Sequence, residues 1–474
     1  MTAEIEVEEG SDIALALELA RYGLTDAGNS RRFSRRFHGR LIHVRGPGWH
    51  RWTGQVWTAV PDEDLLREAK LVAKKLWEEV GLTDDADKQR RIAEWAHRTA
   101  MRPRLEAMVK LAAAGEIRGD DLKINVSQLD RNRDILNTPT GIVDLPTGAL
   151  LDHEAHKTEY CTRMTHVGYD PHADPAGWEA FLKRFWPDPK VREALQDLAG
   201  ASITGYPLKA IACLLGPDGD NGKTTLAEAL KAALGAYGAT AQESTFTNAS
   251  AREAQYDLAE LRGVRYVVFS ETRAGHGLAA ERIKRVTGGD RIGARRPYGK
   301  PFEYAPAFTL WLPTNHAPRV PAGEKAMWKR IWAVHCDVTI PKREQIQDYA
   351  DVLVRDHGPG ILRWAAEGAQ RFYARGKRLP LQPKPIREYA ARWRDRDDVV
   401  KRWISERTEP DPSLKVSFRD TFVNFRDWCE ESGESEALRD YTSQRFHDEM
   451  DQHYPRSDKK SMGYYQRLGI RLIS

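Results

Sequence analysis

Cysteine is scarce in this sequence, and so are long apolar runs. The four cysteines are Cys161, Cys213, Cys336 and Cys429, and none of them forms a C-x-x-C pair. Their wide separation excludes a zinc module and a disulfide framework and predicts a reducing, cytoplasmic compartment. No apolar run approaches the length of a membrane span, and the chain starts with acidic residues, so we expect neither a membrane segment nor a signal peptide.

A strong excess of charge of either sign is also missing. The chain has 73 basic and 69 acidic residues and a net charge of +4, so its total charge does not indicate a class of partner. Acidic residues are absent locally, from Ala27 to Pro61, where arginines alternate with tryptophans. This segment fits a face that contacts nucleic-acid phosphates, but also a charged surface around a small aromatic core. Its arginines are Arg31, Arg32, Arg35, Arg36, Arg40, Arg45 and Arg51.

The length of 474 residues is too great for one core, and the apolar content of 41% is sufficient for globular packing. GWHRWTGQVW predicts a small β-meander with a turn at Thr53-Gly54, and residues 62–115 have helical periodicity. LPLQPKP, at Leu379–Pro385, is typical of a linker. After it we expect a charged helix over 386–408.

The last part of the chain predicts two helices, at about 418–431 and 441–451, and a terminal strand pair within YYQRLGIRLI. This is a winged-helix pattern. We therefore expect three domains, over residues 1–170, 171–378 and 386–474.

The stretch Leu214–Leu226, LLGPDGDNGKTTL, follows an apolar run and precedes an alanine-rich helical segment. A strand, a glycine-rich loop and a helix in this order surround a β-phosphate with backbone N–H groups, while Lys223 reaches the β- and γ-phosphates and Thr224 ligates Mg²⁺. Five residues separate Gly216 from Gly222 where four are usual, which indicates one extra residue at the mouth of the loop. The expected ATP-binding residues are Gly216, Gly219, Asp220, Asn221, Gly222, Lys223, Thr224 and Thr225.

Two further strands are predicted to end in polar residues. The run Val264–Phe269 is followed by Ser270-Glu271, and the run Phe308–Leu312 is followed by Pro313-Thr314-Asn315. A carboxylate at the tip of a buried parallel strand can hold Mg²⁺ and activate the attacking water, and an amide there can sense the γ-phosphate.

Between these strands lies a basic segment, from Arg282 to Lys300, with seven basic residues and one acid. Its glycines predict a helix that turns into a protruding hairpin. The expected DNA-contacting residues are Lys284, Arg291, Arg295, Arg296, Tyr298 and Lys300.

In this order and spacing, GDNGKTT, FSET, KRVTGGDRIGARR, FTLWLPTNHAP and WKRIWAV resemble the superfamily 3 helicases. Within them, the chain is similar to the helicase half of the phage and plasmid primase–helicases, which are related to the poxvirus primase–helicases. GNSRRF, GWHRWTGQVW and LNTPTGIVDLPTG resemble the domain that precedes the motor in that family. The resemblance covers roughly residues 22–474.

The resemblance implies an α/β fold with an AAA+-like P-loop ATPase core of superfamily 3 type, an α+β N-terminal domain and a C-terminal winged helix. It implies ATP and Mg²⁺ as cofactors and a ring, usually a hexamer, that threads single-stranded DNA. Forked DNA, further copies of the chain and a separate primase or other replication proteins are the implied partners, in a bacterial or phage-infected cell.

The family's functional residues map onto this sequence one by one. Lys223 and Thr224 bind phosphates and Mg²⁺, and Glu271 completes the metal site and activates water. Asn315 is the sensor, and Arg330 matches the arginine finger that reaches the neighbouring subunit's nucleotide. Arg295 and Arg296 match the part that grips DNA in the pore.

Three other functions were weighed against the helicase. We find no paired-aspartate strand with a partner histidine, so we expect no primase activity. A small-molecule kinase would explain Lys223 and Glu271 but neither the basic hairpin nor the winged helix. A DNA-binding initiator that uses ATP to assemble on an origin explains everything except a need for processive movement, and it stays open.

Overall fold

The structure is a computed structural model, and it describes residues 9–115, 121–216, 219–247, 251–270, 277–297, 299–320, 323–434, 438, 441–460 and 464–473. The chain divides into two compact units, one of Met1–Ile142 with Leu151–Met164 and one of Val143–Leu150 with Thr165–Ser474. The fold is mixed α/β with a parallel sheet, as predicted. The three-domain division stays a prediction.

The part of the first unit up to residue 124 contains five α-helices and four strands among the residues described. They are α1 (Glu9–Leu19), α2 (Asp26–Arg36), β1 (Leu41–Val44), β2 (Gly48–Trp52), β3 (Trp57–Ala59), α3 (Leu66–Lys75), α4 (Ala86–Thr99), α5 (Arg102–Ala114) and β4 (Lys123–Ile124). The strands form one sheet in the order β3-β2-β1-β4. The meander predicted from GWHRWTGQVW is confirmed, because β2 and β3 pair antiparallel across a turn in which Gly54 has φ +96°. Trp49 and Trp57 are buried in it.

Several arginines of the acid-free segment are held by carboxylates of the same unit. Arg32 is 1% exposed, and its guanidinium donates to both carboxylate oxygens of Glu79 at 2.7 and 2.8 Å. Arg35 pairs with Glu18 at 2.9 Å, and Arg51 pairs with Glu68. For these three, a charged shell around an aromatic core accounts for the sequence pattern better than a nucleic-acid face.

Three short strands follow in the part of the chain where the residue ranges of the two units alternate. They are β5 (Ile135–Thr138), β6 (Gly141–Asp144) and β7 (Ala149–Leu151), joined in that order in one sheet. The turns predicted at Thr140-Gly141 and Thr147-Gly148 fall between them, and Gly148 has φ +75°.

The second unit is built on a five-stranded sheet whose neighbouring strands are all parallel, in the order β14-β8-β13-β10-β9. Strand β8 is completely buried, and its alternate residues Ile211, Cys213 and Leu215 lie in one large apolar cluster. The elements are α6 (Ala176–Phe185), α7 (Pro189–Ile203), β8 (Ile211–Leu215), α8 (Lys223–Leu234), β9 (Gly238–Thr240), α9 (Glu243–Phe246), α10 (Ala251–Glu260), β10 (Tyr266–Val268), α11 (Ala280–Gly288), β11 (Ile292–Ala294), β12 (Phe302–Tyr304), β13 (Thr309–Thr314), α12 (Lys325–Trp328), β14 (Ile331–His335) and α13 (Tyr349–Ala374).

The end of the chain differs from the expectation in two places. Its elements are α14 (Lys384–Arg396), α15 (Val399–Arg407), β15 (Thr408–Ser417), α16 (Phe418–Glu431), α17 (Ser443–Met450) and β16 (Gln466–Leu472). The charged helix expected over 386–408 is two helices. The expected terminal strand pair is wrong: β16 is a single strand, and it pairs antiparallel with β15. The two prolines and the acidic residues of β15 hid this strand in the sequence.

Helix α14 adds to the apolar core around the five-stranded sheet, beyond the proline-rich linker. Trp393 is 3% exposed and packs edge-on against Trp328, with ring centroids 5.2 Å apart. Tyr389 stacks on His335 of β14 at 4.4 Å, and Gln382 donates from Nε2 to the Ile331 carbonyl at 2.9 Å. The predicted boundary at Leu379–Pro385 therefore lies within this packing.

Two expectations about the whole chain can be compared with the described residues. The four cysteines, all of which lie in the described ranges, are buried and form no disulfide bond there. Within the described ranges, no helix has both the length and the apolarity required to cross a bilayer.

Candidate nucleotide site and basic hairpin

The loop between β8 and α8 has two glycines that their surroundings require. Gly222 has φ +74°, and a Cβ there would lie 2.6 Å from the ring of Phe185. A Cβ on Gly216 would lie 2.3 Å from the Cys336 carbonyl oxygen. Lys223 begins α8 directly after this turn. The turn therefore leaves the backbone N–H groups at the helix start open to an anion.

Lys223 is 5% exposed, and its ammonium donates to the Asn221 side-chain oxygen at 2.8 Å. Asn221 in turn donates from Nδ2 to the carbonyl of Cys336 at 3.1 Å. The Asp220 carbonyl accepts from the Ile340 N–H at 3.1 Å. The segment that follows β14 therefore holds the loop, and it holds the side chain that positions the lysine.

The residues present fit a nucleoside triphosphate. A buried ammonium beside a glycine cradle is suited to phosphate oxygens, and Thr224 is exposed in the first turn of α8, where its hydroxyl can reach a cation. The described residues contain no group of three or more histidine, cysteine, aspartate or glutamate side chains arranged for a metal. Glu271, the carboxylate predicted for Mg²⁺, lies outside the described residues.

The carboxyl ends of three strands meet beside this loop. Thr314 at the end of β13 pairs with Leu215 at the end of β8, and the Gly216 N–H donates to the Thr314 carbonyl at 3.3 Å. Asn315 follows directly and is exposed. Strand β10 pairs with β13, so Ser270 lies at the same edge. The structure thus brings Lys223 and Asn315 to one edge of the sheet.

Arg330 lies at the opposite edge. Its carbonyl accepts from the N–H of Ile211, the first residue of β8, at 2.8 Å. At about 3.3 Å per residue, β8 separates it from the loop by roughly 16 Å, more than the reach of an arginine side chain. Its guanidinium donates to Thr287 Oγ1 at 3.0 Å and to the Ala326 carbonyl at 2.7 Å. Arg330 therefore cannot contact a nucleotide in its own loop.

The basic segment forms the predicted helix and hairpin. Helix α11 ends at Gly289, which has φ +84°, and β11 and β12 pair antiparallel. The side chains of Arg291 and Arg296 are 65% and 67% exposed, and each lies 3.7 Å from one carboxylate. Arg295 donates from Nε to the Gly299 carbonyl at 3.0 Å. Tyr298 lies outside the described residues.

Two members of the predicted DNA-contacting set differ in their surroundings. Lys300 is exposed near the tip of the hairpin. Lys284 is on α11 and pairs with Glu281 and, at 3.2 Å, with Glu324. Hydrogen bonds to these two carboxylates raise the pKa of Lys284. Its ammonium group is therefore held by two acidic side chains.

The residues that support the loop from outside were missed by sequence reasoning. Phe185, Cys336 and Ile340 carry no motif, and the last two follow the loop by more than a hundred residues. Burial raises the pKa of the Cys336 thiol to about 12, so the side chain stays neutral, and the contribution of Cys336 to the loop is its carbonyl.

Comparison with known families gives two matches along the chain. Residues 30–187 match the D5 N terminal like family, and residues 214–330 match a family of unknown function, DUF5906.

Curated relatives come from large DNA viruses. "Putative helicase L207/L206" of Acanthamoeba polyphaga mimivirus is 24% identical over 344 residues, which are 67% of this chain and 36% of the relative. "Putative helicase 022R" of Frog virus 3 is 26% identical over 266 residues, 52% of this chain and 27% of the relative. This chain thus spans only about a third of the length of these relatives.

Among solved structures, the C-terminal region of NrS-1 (305–718) in its apo form is similar with a TM-score of 0.37 and 11% identity. The similarity covers 64% of this chain and 78% of that one. The chain is therefore similar to the D5 N terminal like family over residues 30–187 and to putative helicases of large DNA viruses over half or more of its length.

Proposed function

We propose that this chain is an ATP-dependent DNA helicase or translocase of a phage or plasmid replication system. It has an AAA+-like superfamily 3 core and a winged helix at its carboxyl end, and it works as a hexamer or similar ring around single-stranded DNA. The observation that carries the proposal is the position of the phosphate loop and Arg330 at opposite ends of β8. Such an arrangement is useful when one subunit's arginine faces the next subunit's nucleotide.

Within one subunit, the loop binds the phosphates of ATP, and the neighbouring strand ends carry the residues that promote hydrolysis. Lys223 neutralises the β- and γ-phosphates once a triphosphate takes the place of the Asn221 oxygen. Thr224 and Glu271 would hold Mg²⁺, whose positive charge would offset the charge of the phosphates. Glu271 would take the proton of the attacking water, and Asn315 would orient that water against the γ-phosphate.

The hairpin supplies the contact to DNA. Arg291, Arg295, Arg296 and Lys300 stand on or near a narrow two-stranded projection and are all exposed, although Arg291 and Arg296 each lie 3.7 Å from one carboxylate. Exposed cations on such a projection suit a phosphate backbone, whose binding releases counterions. Single-stranded and forked DNA, other copies of the chain and a separate primase or other replication proteins are the proposed partners.

The first test is ATP hydrolysis by the purified chain with and without single-stranded DNA. We expect DNA-stimulated turnover. Lys223→Ala should abolish ATP binding, because no other described cation lies in the loop. Glu271→Gln should keep ATP binding and lose hydrolysis, because only water activation is removed. Near-normal turnover by the Glu271→Gln protein would remove that residue from the catalytic role.

A strand-displacement assay on forked DNA distinguishes the helicase from the initiator. A helicase couples hydrolysis to displacement of a labelled strand over many turnovers. An initiator assembles on DNA and hydrolyses ATP without displacing the strand. Assembly and hydrolysis without displacement would favour the initiator.

A further inference from the structure

A second basic surface lies at the edge of the sheet opposite the phosphate loop. It is a groove of about 710 Å³ between the segment that precedes β8, the start of β14 and the proline-rich linker, and we call it the linker groove. Its apolar lining residues include Leu208 and Trp332, which are buried, and Leu381, which is 89% exposed. Its charged lining residues are Lys209, Lys329, Lys377, Arg378 and Arg387, with no acidic residue among them.

This concentration of positive charge is unusual for the chain, which has nearly equal numbers of basic and acidic residues. Lys209, Lys329, Arg378 and Arg387 are exposed, and none pairs with a carboxylate in the part of the chain that the structure describes. Exposed like charges on one groove repel each other where they lie within a Debye length, about 8 Å. An anionic occupant would remove this repulsion.

The walls of the groove are held in place before any occupant binds. Gln382 of the linker donates to the Ile331 carbonyl of β14 at 2.9 Å. Lys377 has φ +62°, and its ammonium donates to the Tyr206 hydroxyl at 2.6 Å and lies 4.1 Å from the centre of that ring. A segment whose composition suggests a flexible spacer thus forms a fixed wall, and the exposed cations stand along it.

The linker groove also adjoins the base of the basic hairpin. Pro207 lines the groove, and a Cβ added to Gly289 would lie 3.1 Å from the Cγ atom of Pro207. Gly289 ends α11 and is two residues from Arg291. A phosphate chain that leaves the hairpin on this side therefore meets further cations.

We propose that the linker groove binds the phosphate backbone of DNA, as a contact separate from the tip of the hairpin. The inference rests on the proposed function. The triphosphate of a neighbouring subunit's ATP has the same chemistry, but a nucleotide pocket encloses most of its ligand. Here the cations are exposed along an open groove, which suits the successive phosphates of a nucleic-acid backbone.

The test measures DNA affinity against salt for a variant with Lys209→Gln, Arg378→Gln and Arg387→Gln. Lys329 and Lys377 are left intact, because Lys329 is next to Arg330 and Lys377 holds the Tyr206 contact. A labelled single-stranded oligonucleotide is titrated by fluorescence anisotropy at several salt concentrations. At about 0.7 per phosphate contact, losing three contacts should reduce the salt slope by about 2.

The matched control carries Lys183→Gln, Lys190→Gln and Lys342→Gln, three exposed lysines that do not line the groove. It also loses three positive charges, but none of them lines the groove. The salt slope of its DNA binding should therefore stay near that of the unsubstituted chain. ATP binding should be unchanged in both. An unchanged slope in the groove variant would overturn the inference, whatever the control does.

The remaining outcomes separate this inference from the proposed function. If Arg295→Ala/Arg296→Ala lowers the salt slope and the groove variant does not, the linker groove is excluded and the helicase proposal stands. If the groove variant keeps its slope but loses hydrolysis in assembled rings, the groove serves a neighbour's nucleotide and the inference is wrong. If the unsubstituted chain binds no DNA, both proposals fail.

Discussion

Asn221 joins three parts of the nucleotide site. It holds the ammonium of Lys223, it donates to the Cys336 carbonyl beyond β14, and a Cβ on Gly216 would lie 2.3 Å from its amide nitrogen. An ammonium that is 5% exposed needs such a partner, because a buried charge without one is costly. The contacts of Asn221 therefore hold both the loop and the Lys223 ammonium in place.

A second residue whose surroundings determine its charge is His447, in the region after the linker. Its ring is stacked on Phe418 at 3.8 Å, its Nε2–H donates to the Phe418 carbonyl at 2.9 Å, and its Nδ1 accepts from Arg467 at 3.3 Å. Burial and the neighbouring Arg467 charge lower the pKa of His447 from 6.5 to about 4. The imidazole is therefore neutral in the folded chain at pH 7.

This predicts a pH dependence of stability. His447 takes up a proton near pH 6.5 in the unfolded chain and only near pH 4 in the folded chain. The stabilisation of the fold by neutral His447 is therefore complete above pH 6.5 and is lost as the pH falls toward 4. At about 1.4 kcal/mol per pKa unit, the loss amounts to roughly 3 kcal/mol. Denaturant unfolding of the full chain between pH 7 and 4 measures it, with His447→Gln as the control. Equal pH slopes in the two proteins would contradict the prediction.

At the level of elements, α14 is the part of the core around the five-stranded sheet that we did not expect. It covers the edge strand β14, and its Trp393 fills the core beside Trp328. Further along, Asp397 accepts from the Trp393 indole N–H at 3.0 Å, just before α15 begins. The packing therefore extends the core around the five-stranded sheet through α14, beyond the end of the proline-rich linker.

Two truncations test this extension of the core. A chain that ends at Leu379 lacks α14 and uncovers Trp328, so we expect it to aggregate and to hydrolyse no ATP. A chain that ends at Asp398 keeps α14, so we expect it to stay soluble and to bind ATP. Size-exclusion chromatography and nucleotide binding distinguish them. Trp393→Ala in the full chain is the control and should cost about 3–5 kcal/mol. A soluble, active chain ending at Leu379 would show that α14 is dispensable.

Glu324 pairs with basic residues of two helices, α11 before the proline-rich linker and α17 after it. It lies 3.2 Å from Lys284 of α11 and 3.8 Å from Arg445 of α17, directly before the short helix α12 that leads to Arg330. Arg330 in turn bonds Thr287 of α11. The helix that leads into the DNA hairpin, the proposed finger and the C-terminal region therefore meet at one group of side chains.

At the scale of the whole molecule, the parallel sheet separates the two halves of the proposed catalytic site. The phosphate loop opens at its carboxyl edge and Arg330 lies at its amino edge. A ring joins such halves between subunits. The missing cation would stabilise the charge that develops on the γ-phosphoryl group, and an arginine in that place contributes about 10³–10⁵ in rate.

We therefore predict that Arg330 acts in trans. Arg330→Ala and Lys223→Ala proteins should each be folded, able to assemble and inactive alone. When they are mixed, some interfaces join an intact loop to an intact arginine, and partial hydrolysis should return. Normal hydrolysis by Arg330→Ala alone, or an inactive mixture with verified co-assembly, would mean that Arg330 only holds α11 and α12 through Thr287 and Ala326.

The local elements of this protein were predictable from its sequence. The strand, glycine loop and helix around Lys223, the basic helix and hairpin, the meander at Trp49–Trp57 and the helices near 418–431 and 441–451 all formed close to their predicted bounds. Each depends on residues adjacent in the chain, through apolar periodicity, turn glycines and the backbone preferences that follow from them. The fold class and the position of the phosphate loop follow from these same patterns.

Only the tertiary structure decided which distant residues meet. Arg32 is buried against Glu79, β15 pairs with β16 across the last sixty residues, α14 covers β14, and the Cys336 carbonyl holds Asn221. None of these contacts has a signal in the neighbouring residues, because each results from two segments that are brought together by burial of other side chains. The same holds for the linker groove, whose cations are dispersed over 209–387 in the chain and become one surface only when β8, β14 and the linker pack together.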